Sequence, residues 1–486
     1  MTLRPQRLPL VDPHGDTRTP IVALVVAICA GAIVAFVPMA GLVVVGVAVA
    51  MTLVITPSLP SLFLAALSVL LAGYGFFGRS FAYLGIAPIY VGELVLGLGV
   101  LATIRLARRT WHGLELLVIV FMLWGAARTL PYISTYGIDA LRDGVLWGYG
   151  GFALAASVSA RPEHFERLRQ LYARLVPFFL AWVGVSAVLS LAPSLPTIPG
   201  SDVGVVFFKG GDMGVHLAGV IAFLIVALWP GSLAAASLRA TLLVPLWVIA
   251  VGVAGSLNRG GLFASLCGWI AAFLIRPPTR WWFSFAAAAV VLVGAVFADA
   301  TLDLGKTRTI SLDQLAANVG SVLSDTGTAN LDGTRDFRLR WWHDIFDYTV
   351  GGQYFWTGKG FGVNLADDDG YQFKSDDSVR APHNSHMTVL ARMGVPGFVM
   401  WLAMQLWFGV LLVRAFFASR RAGMHLWCRI DAWLLAYWLA IMVNTSFDPY
   451  LEGPQGGIWF WSILGLGLAA VRHQQATIAA RGGGSA

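Results

Sequence analysis

Apolar stretches of roughly 17 to 25 residues, the length that crosses a hydrocarbon core of about 30 Å, recur from Pro20 almost to the end of the chain. Charged residues make up 12% of the sequence and hydrophobic ones 57%, against about 25% charged in a soluble domain. There is too little polar surface to keep so many apolar segments in water, so the bilayer is the expected solvent. In lipid the backbone must satisfy its own hydrogen bonds, which makes each stretch a helix. The expected fold is an all-α polytopic membrane protein of about fourteen transmembrane helices with one large extracytoplasmic loop.

The spans fall near 20–38, 40–57, 60–78, 89–106, 111–128, 144–160, 172–193, 212–230, 238–255, 260–276, 281–300, 386–414, 429–447 and 456–472. Basic residues collect between them, in RLARR (105–109), RPEHFERLRQLYAR (161–174), Arg276 and Arg280, RAFFASRRAG (414–423) and the tail after Arg472. Positive residues mark cytoplasmic loops, and with both termini inside every one of these segments falls on that side. The net charge of +7 is therefore a topology signal and does not point to nucleic acid. The resulting division is a cytoplasmic segment 1–19, helices over 20–300, a loop over 301–385, helices over 386–472 and a cytoplasmic tail 473–486, whose closing GGGSA reads as an artificial linker. No cleavable signal peptide is evident, so the first helix is expected to stay. Cys29, Cys267 and Cys428 lie in or beside apolar runs without metal spacing and read as packing residues.

The loop of about 85 residues is far longer than the usual connection of about 4 to 6, which marks it as functional. Its segment LDGTRDFRLRWWHDIFDYTVG spaces Phe337, Trp341, Trp342, Ile345, Phe346 and Tyr348 as a helix lying on a membrane surface would, and GKGFGVNLADDDGYQ reads as turns and loop. On this topology the outer face gathers Arg142, Lys209, Arg259, Arg335, Arg338, Arg340 and His383. Transfer from a lipid diphosphate needs such a set, because guanidinium groups stabilise the charge that develops on the leaving group. Clustered acidic metal ligands are scarce: DDD (367–369) and SDD (375–377) read as loop aspartates. No metal and no cofactor is expected.

Each candidate has a plainer reading. Arg259, after Asn258 in a Gly-flanked turn, could simply snorkel to headgroups, but positive residues are disfavoured on the outer side. Arg335, Arg338 and Arg340 could form a solvated face with Asp336, Asp344 and Asp347, with Arg338 the favoured phosphate contact. Lys209 before two glycines can approach an anion closely or be merely solvated. His383 and His386 stand where the chain enters the membrane, and an imidazole of ordinary pKa near ~6.5 can take a proton from a sugar hydroxyl. A helix cap is the plainer role there, one that Asn384 or Ser385 fills better.

HNSHMTVLARMGVPG fits a His, then Asn, Ser or Gln, then a spacer and Gly-x-x-Gly, from His383 to Gly394 and Gly397. It resembles the signature of the O-antigen ligases and the related O-antigen and exopolysaccharide polymerases. GSLNRGGLFASLCGW is similar to that superfamily's SRG element, with Asn258 before Arg259, and RLRWWHDIFDYTVGGQYFWTGKGFG to its loop segment. The resemblance covers about Lys209 to Tyr450. It implies a GT-C type glycosyltransferase of the bacterial inner membrane, its active site facing the periplasm, using undecaprenyl-diphosphate-linked oligosaccharide without a nucleotide donor or metal. By that resemblance His383 activates or orients the acceptor, a glycan or lipid-linked glycan, while Arg259 and a loop arginine hold the diphosphate; from their residue types and places on the outer face, Lys209, Arg335, Arg340, Arg142 and Asn384 are the further expected substrate contacts. A flippase and a chain-length regulator are the expected protein partners. About fourteen spans lean towards a polymerase, with a ligase acting on lipid A-core as the alternative. A lipid-oligosaccharide flippase or other transporter is disfavoured, since no charged path crosses the membrane.

Overall fold

The computed structural model describes residues 58–86, 89–106, 111, 113–190, 195–199, 201–275, 315, 329–372 and 379–482, without the side chains of 233–237, 240, 329–335 and 482. The expected spans at 20–38, 40–57 and 281–300 lie outside these residues, so the count of about fourteen rests on the sequence alone. Within them the chain is mostly helical.

Helix α1 (Leu59–Phe77) begins with a proline in its first turn, where no N–H is missed. It buries Leu59, Phe63, Leu67, Leu70 and Tyr74 on one face and leaves Val69 outward. A two-stranded turn, β1 (Gly85–Ile86) and β2 (Ile89–Tyr90), leads into α2 (Val91–Arg105). There follow α3 (Leu114–Thr129), α4 (Ile138–Gly148), α5 (Gly150–Ser159), α6 (Pro162–Leu189), α7 (Gly210–Ile225), α8 (Leu233–Leu257) and α9 (Arg259–Ile275). The span expected at 144–160 is thus two helices, α4 and α5, meeting at Tyr149. Beyond the undescribed stretch come α10 (Ala329–Val350), the short α11 (Leu365–Asp368), α12 (Ser385–Arg421), α13 (His425–Thr445) and α14 (Pro454–Gly482). Among the described helices, six are long and apolar enough to cross a membrane: α1, α3 with the turns after it, α6, α12, α13 and α14. Helices α7 and α9 are shorter and equally apolar.

Small residues set the tightest approaches, as in helix packing within lipid. A Cβ on Gly214 of α7 would lie 2.2 Å from the Gly261 carbonyl of α9, so these two backbones touch. Trp401, Trp461, Phe121 and Phe152 fill the centre of the largest core. Cys267 and Cys428 are free thiols, as their apolar surroundings led us to expect.

The two ends of the bundle differ in chemistry. At one end Arg472 pairs with Glu115 and donates to the Ser157 carbonyl (2.8 Å), and Arg169 pairs with Glu166 (2.6 Å) and donates to the Leu228 carbonyl. Arg429 donates there to the Ala227 carbonyl. Arg169 belongs to the basic segment 161–174, Arg472 stands at the start of the basic tail, and Arg429 follows the segment 414–423. The opposite end receives the start of α7, the α8–α9 turn, α10, the start of α12 and the exit of α13.

Helix α12 is two helices joined at Gly394, whose φ of 68° is a left-handed value that only glycine adopts readily. The break frees backbone carbonyls, and the segment after α10 takes them up: Lys359 N–H donates to Ala391 O (2.7 Å) and Gly360 N–H to Arg392 O (3.1 Å). In return Val395 N–H donates to Phe355 O (2.8 Å), while Trp124 of α3 donates to Met393 O (3.0 Å). A broken helix is tolerated at membrane depth only where protein satisfies it in this way.

Candidate functional site

The site end is organised by the turn that leaves α13. Asn258 accepts from Gly261 N–H through Oδ1 (2.9 Å) and so caps α9, whose first residue is Arg259. Gly260 packs on Phe447, where a Cβ would come within 3.0 Å of the Phe447 Cβ, and Gly261 packs on Gly210 and Gly211 of α7. The Arg259 backbone is thereby fixed between the start of α7 and the end of α13. From α10, Arg338 donates Nη1 to the Phe447 carbonyl (3.2 Å). From α7, Lys209 sets its ammonium on Asp448 (2.5 Å) and near Asp212 (3.5 Å). From α12, Ser385 donates Oγ to the Asp448 carbonyl (3.3 Å) and accepts from Leu451 N–H (3.4 Å). The N-termini of α7, α9 and α12 therefore meet around residues 447–451. Each is the positive end of a helix dipole, which favours an anion.

His383 stands at the rim of this cluster, half-buried, with φ 54°. Before it, the Pro382 carbonyl accepts from Trp342 Nε1 of α10 (2.9 Å). After it, Asn384 caps α12, its Oδ1 accepting from His386 N–H (3.0 Å) and Met387 N–H (3.3 Å). Asn384, expected to touch substrate, has its side-chain oxygen committed to the helix. His386 is held inside: Trp401 Nε1 donates to its Nδ1 (3.0 Å), which leaves Nε2 to carry the proton towards the Met442 carbonyl (3.4 Å).

The remaining expected residues divide. Lys209 already has two carboxylates, and although burial opposes its charge, Asp212 and Asp448 hold its pKa above the usual lysine value. Arg142 is 60% exposed and pairs with Asp139 at 3.8 Å. Arg340 is exposed, its Nε reaching the Asp336 carbonyl at 3.4 Å. The Arg335 side chain lies outside the described residues. The aspartates of 367–369 serve the loop: Asp368 and Asp369 take the Lys359 ammonium, and Asp369 also accepts from Trp341 Nε1 (2.6 Å). Asp376 and Asp377 are not among the described residues. No His, Cys, Asp and Glu group fit to hold a metal occurs among the described residues.

Several site-end residues escaped the sequence reading. Arg392, 2% exposed, pairs with Asp143 (2.9 Å) and donates to the Gly360 and Val363 carbonyls (3.1 Å each). Arg380 joins the same Asp143 at 3.3 Å. Glu452 accepts from Thr388 Oγ1 (2.7 Å), and burial pushes its carboxyl pKa up to about 7 against the pull of Thr388 and Arg392. An arginine inside an apolar run is itself a signal of a buried partner, and the acids in TSFDPYLEGP after α13 were the other available sign.

The profile of a family described as O-Antigen ligase matches residues 244–402. The match takes in Arg259, Arg338 and His383, and it supports the superfamily resemblance carried by the motifs at 255–269 and 383–397. No curated protein matches the chain.

Proposed function

We propose that this multi-pass membrane protein is a glycosyltransferase that moves an oligosaccharide from undecaprenyl diphosphate to a glycan acceptor, as a polysaccharide polymerase. The observation that carries the reading is the convergence of Arg259, Arg338 and three helix N-termini on the α13 exit turn, with Arg259, Arg338 and the starts of α9 and α12 inside the segment matched by the O-antigen ligase profile. His383 borders that cluster at the start of α12.

In the reaction the acceptor hydroxyl oxygen attacks the anomeric carbon, and the bond from that carbon to the phosphate oxygen breaks. Undecaprenyl diphosphate leaves with the bonding electrons. Arg259 and Arg338 meet the developing charge, since a guanidinium can bind two phosphate oxygens at once. The His383 imidazole takes the hydroxyl proton. Arg335, Arg340 and Arg142 are further contacts for the sugar or diphosphate in this reading.

The second reading is a ligase acting on lipid A-core, and the family's description as O-Antigen ligase supports the ligase part of it. Purified protein in lipid nanodiscs, given lipid-linked repeat units with and without a lipid A-core acceptor, separates them. A ladder of products supports the polymerase, and one-step transfer to the core supports the ligase. Lipid-linked units moved across a vesicle wall unaltered would overturn both in favour of transport.

A further inference from the structure

The turn carrying His383 is tied down at one remove. His383 holds a left-handed backbone (φ 54°) that is unfavourable for a non-glycine residue and persists only where its surroundings enforce it. On the N-terminal side Trp342 grips the Pro382 carbonyl. On the other side Ser385, fully buried, ends on the backbone of 448–451. That backbone belongs to no long helix, and Lys209 pins it through the Asp448 carboxylate. Asp448 is itself 7% exposed.

We propose that Lys209 and Asp448 are positioning residues for transfer: their ion pair holds the α13 exit turn against α7 so that Ser385 keeps the His383 turn in place. The proposal rests on the reading of His383 as proton acceptor. It assigns Lys209 a role other than phosphate contact, and it follows from where the ammonium points. A charge that already faces Asp448 and Asp212, in a site where those groups raise its pKa, has little left to offer a diphosphate. Burial makes Asp448 sensitive to loss of Lys209, because a lone buried carboxylate has no compensation.

The test uses full-length protein in nanodiscs carrying Lys209→Met, Asp448→Asn, both together, Lys209→Arg, and Ser385→Ala. Each variant is read for turnover at saturating donor, for donor affinity, and for the rate at which diethyl pyrocarbonate modifies His383, followed by mass spectrometry. A misplacement of about 1 Å can cost on the order of 100-fold in rate, so Lys209→Met and Asp448→Asn are each expected to lower turnover about 10-fold to 100-fold. Donor affinity is expected to stay unchanged, and the double variant to be no worse than either single one. Lys209→Arg should restore most of the turnover. Ser385→Ala, which leaves the ion pair intact and guards against loss of folding in the others, should also lower turnover, and all but the rescued variant should change the rate of His383 modification. Weakened donor binding in Lys209→Met alone would overturn the proposal and return Lys209 to the diphosphate. Unchanged His383 reactivity would overturn it as well, whether or not transfer is observed. The reactivity measurement thus reads the proposal separately from the enzymatic reading beneath it.

Discussion

At the scale of single residues, His383 and His386 are three positions apart and have different surroundings. His386 has both ring nitrogens engaged, with Trp401 and the Met442 carbonyl, so His386→Ala would orphan the buried Trp401 N–H at a cost of about 1 to 3 kcal/mol in stability. Its effect on transfer should be small once folded protein is compared. His383→Ala should leave donor binding intact and lower turnover by about 100-fold to 10,000-fold, the range for a lost general base. Paired measurement of donor affinity and product formation checks both, and equal losses in the two variants would remove the assignment. Arg259→Lys keeps the charge but not the fork, so turnover should fall by roughly 30-fold to 1,000-fold, equivalent to about 2 to 4 kcal/mol. Wild-type turnover in that variant would make Arg259 a snorkelling residue. Glu452 gives a pH test. Its folded pKa of about 7 lies above that of an exposed glutamate, near ~4.3, so between these values the folded state binds the extra proton. The stability this confers is fully present below the lower value and is lost as pH rises through about 7. Wild-type melting temperature should therefore fall from pH 5 to 8 by an increment that Glu452→Gln abolishes, and a parallel fall in the variant would contradict the assignment.

At the scale of elements, the break in α12 explains why glycines recur in the signature HNSHMTVLARMGVPG. A Cβ on Gly394 would sit 2.5 Å from the Phe355 carbonyl, and one on Gly358 would sit 2.4 Å from the Arg392 carbonyl carbon. Neither contact can yield by moving a flexible side chain, and both positions have positive φ. Gly394→Ala and Gly358→Ala should each unseat the segment after α10 from α12, lowering thermal stability and exposing 354–360 to limited proteolysis; alanine variants with unchanged cleavage would argue against the clamp. Arg392→Met should cost about 1 to 3 kcal/mol, because the buried Asp143 carboxylate loses its 2.9 Å partner while keeping Arg380 and the Gly362 N–H, and the Gly360 and Val363 carbonyls lose their donor. Replacing both, as Arg392→Met with Asp143→Leu, should recover part of that loss in denaturation measurements. The sequence made the helices legible because apolar length is a local property, and it made the family signature legible by residue type and spacing. It could not say which carbonyl an arginine reaches. Arg338 finds Phe447, Lys209 finds Asp448 and Arg392 finds Asp143 across long stretches of chain. Those pairings are set by which helices lie side by side. Lys209 and Asn384 looked like ligand contacts for that reason: their residue types suit an anion or a sugar, and only packing reveals the aspartates and the helix end that engage them.

At the scale of the whole molecule, charge is sorted by end, and this predicts orientation. The end holding Arg169, Arg429 and Arg472 adjoins the basic segments 161–174 and 414–423 and the tail, whose Arg481 donates to the Ala422 carbonyl, and the opposite end holds Arg259, Arg338, His383 and the α13 exit turn. The positive-inside rule orients the first towards the cytoplasm. On that orientation the site would face outward, the side on which the proposed glycan acceptor and lipid-diphosphate donor are expected. Single cysteines placed in a background without Cys29, Cys267 and Cys428 test this directly at two exposed positions, 340 on α10 and 421 at the end of α12. In intact cells a membrane-impermeant maleimide should label the cysteine at 340 and not the one at 421, while permeabilised cells should label both. The reverse pattern would turn the bundle over, and with it the site. It would put Arg259 and His383 on the side where nucleotide sugars are available, and the case for a lipid-diphosphate donor would then lose its topological support.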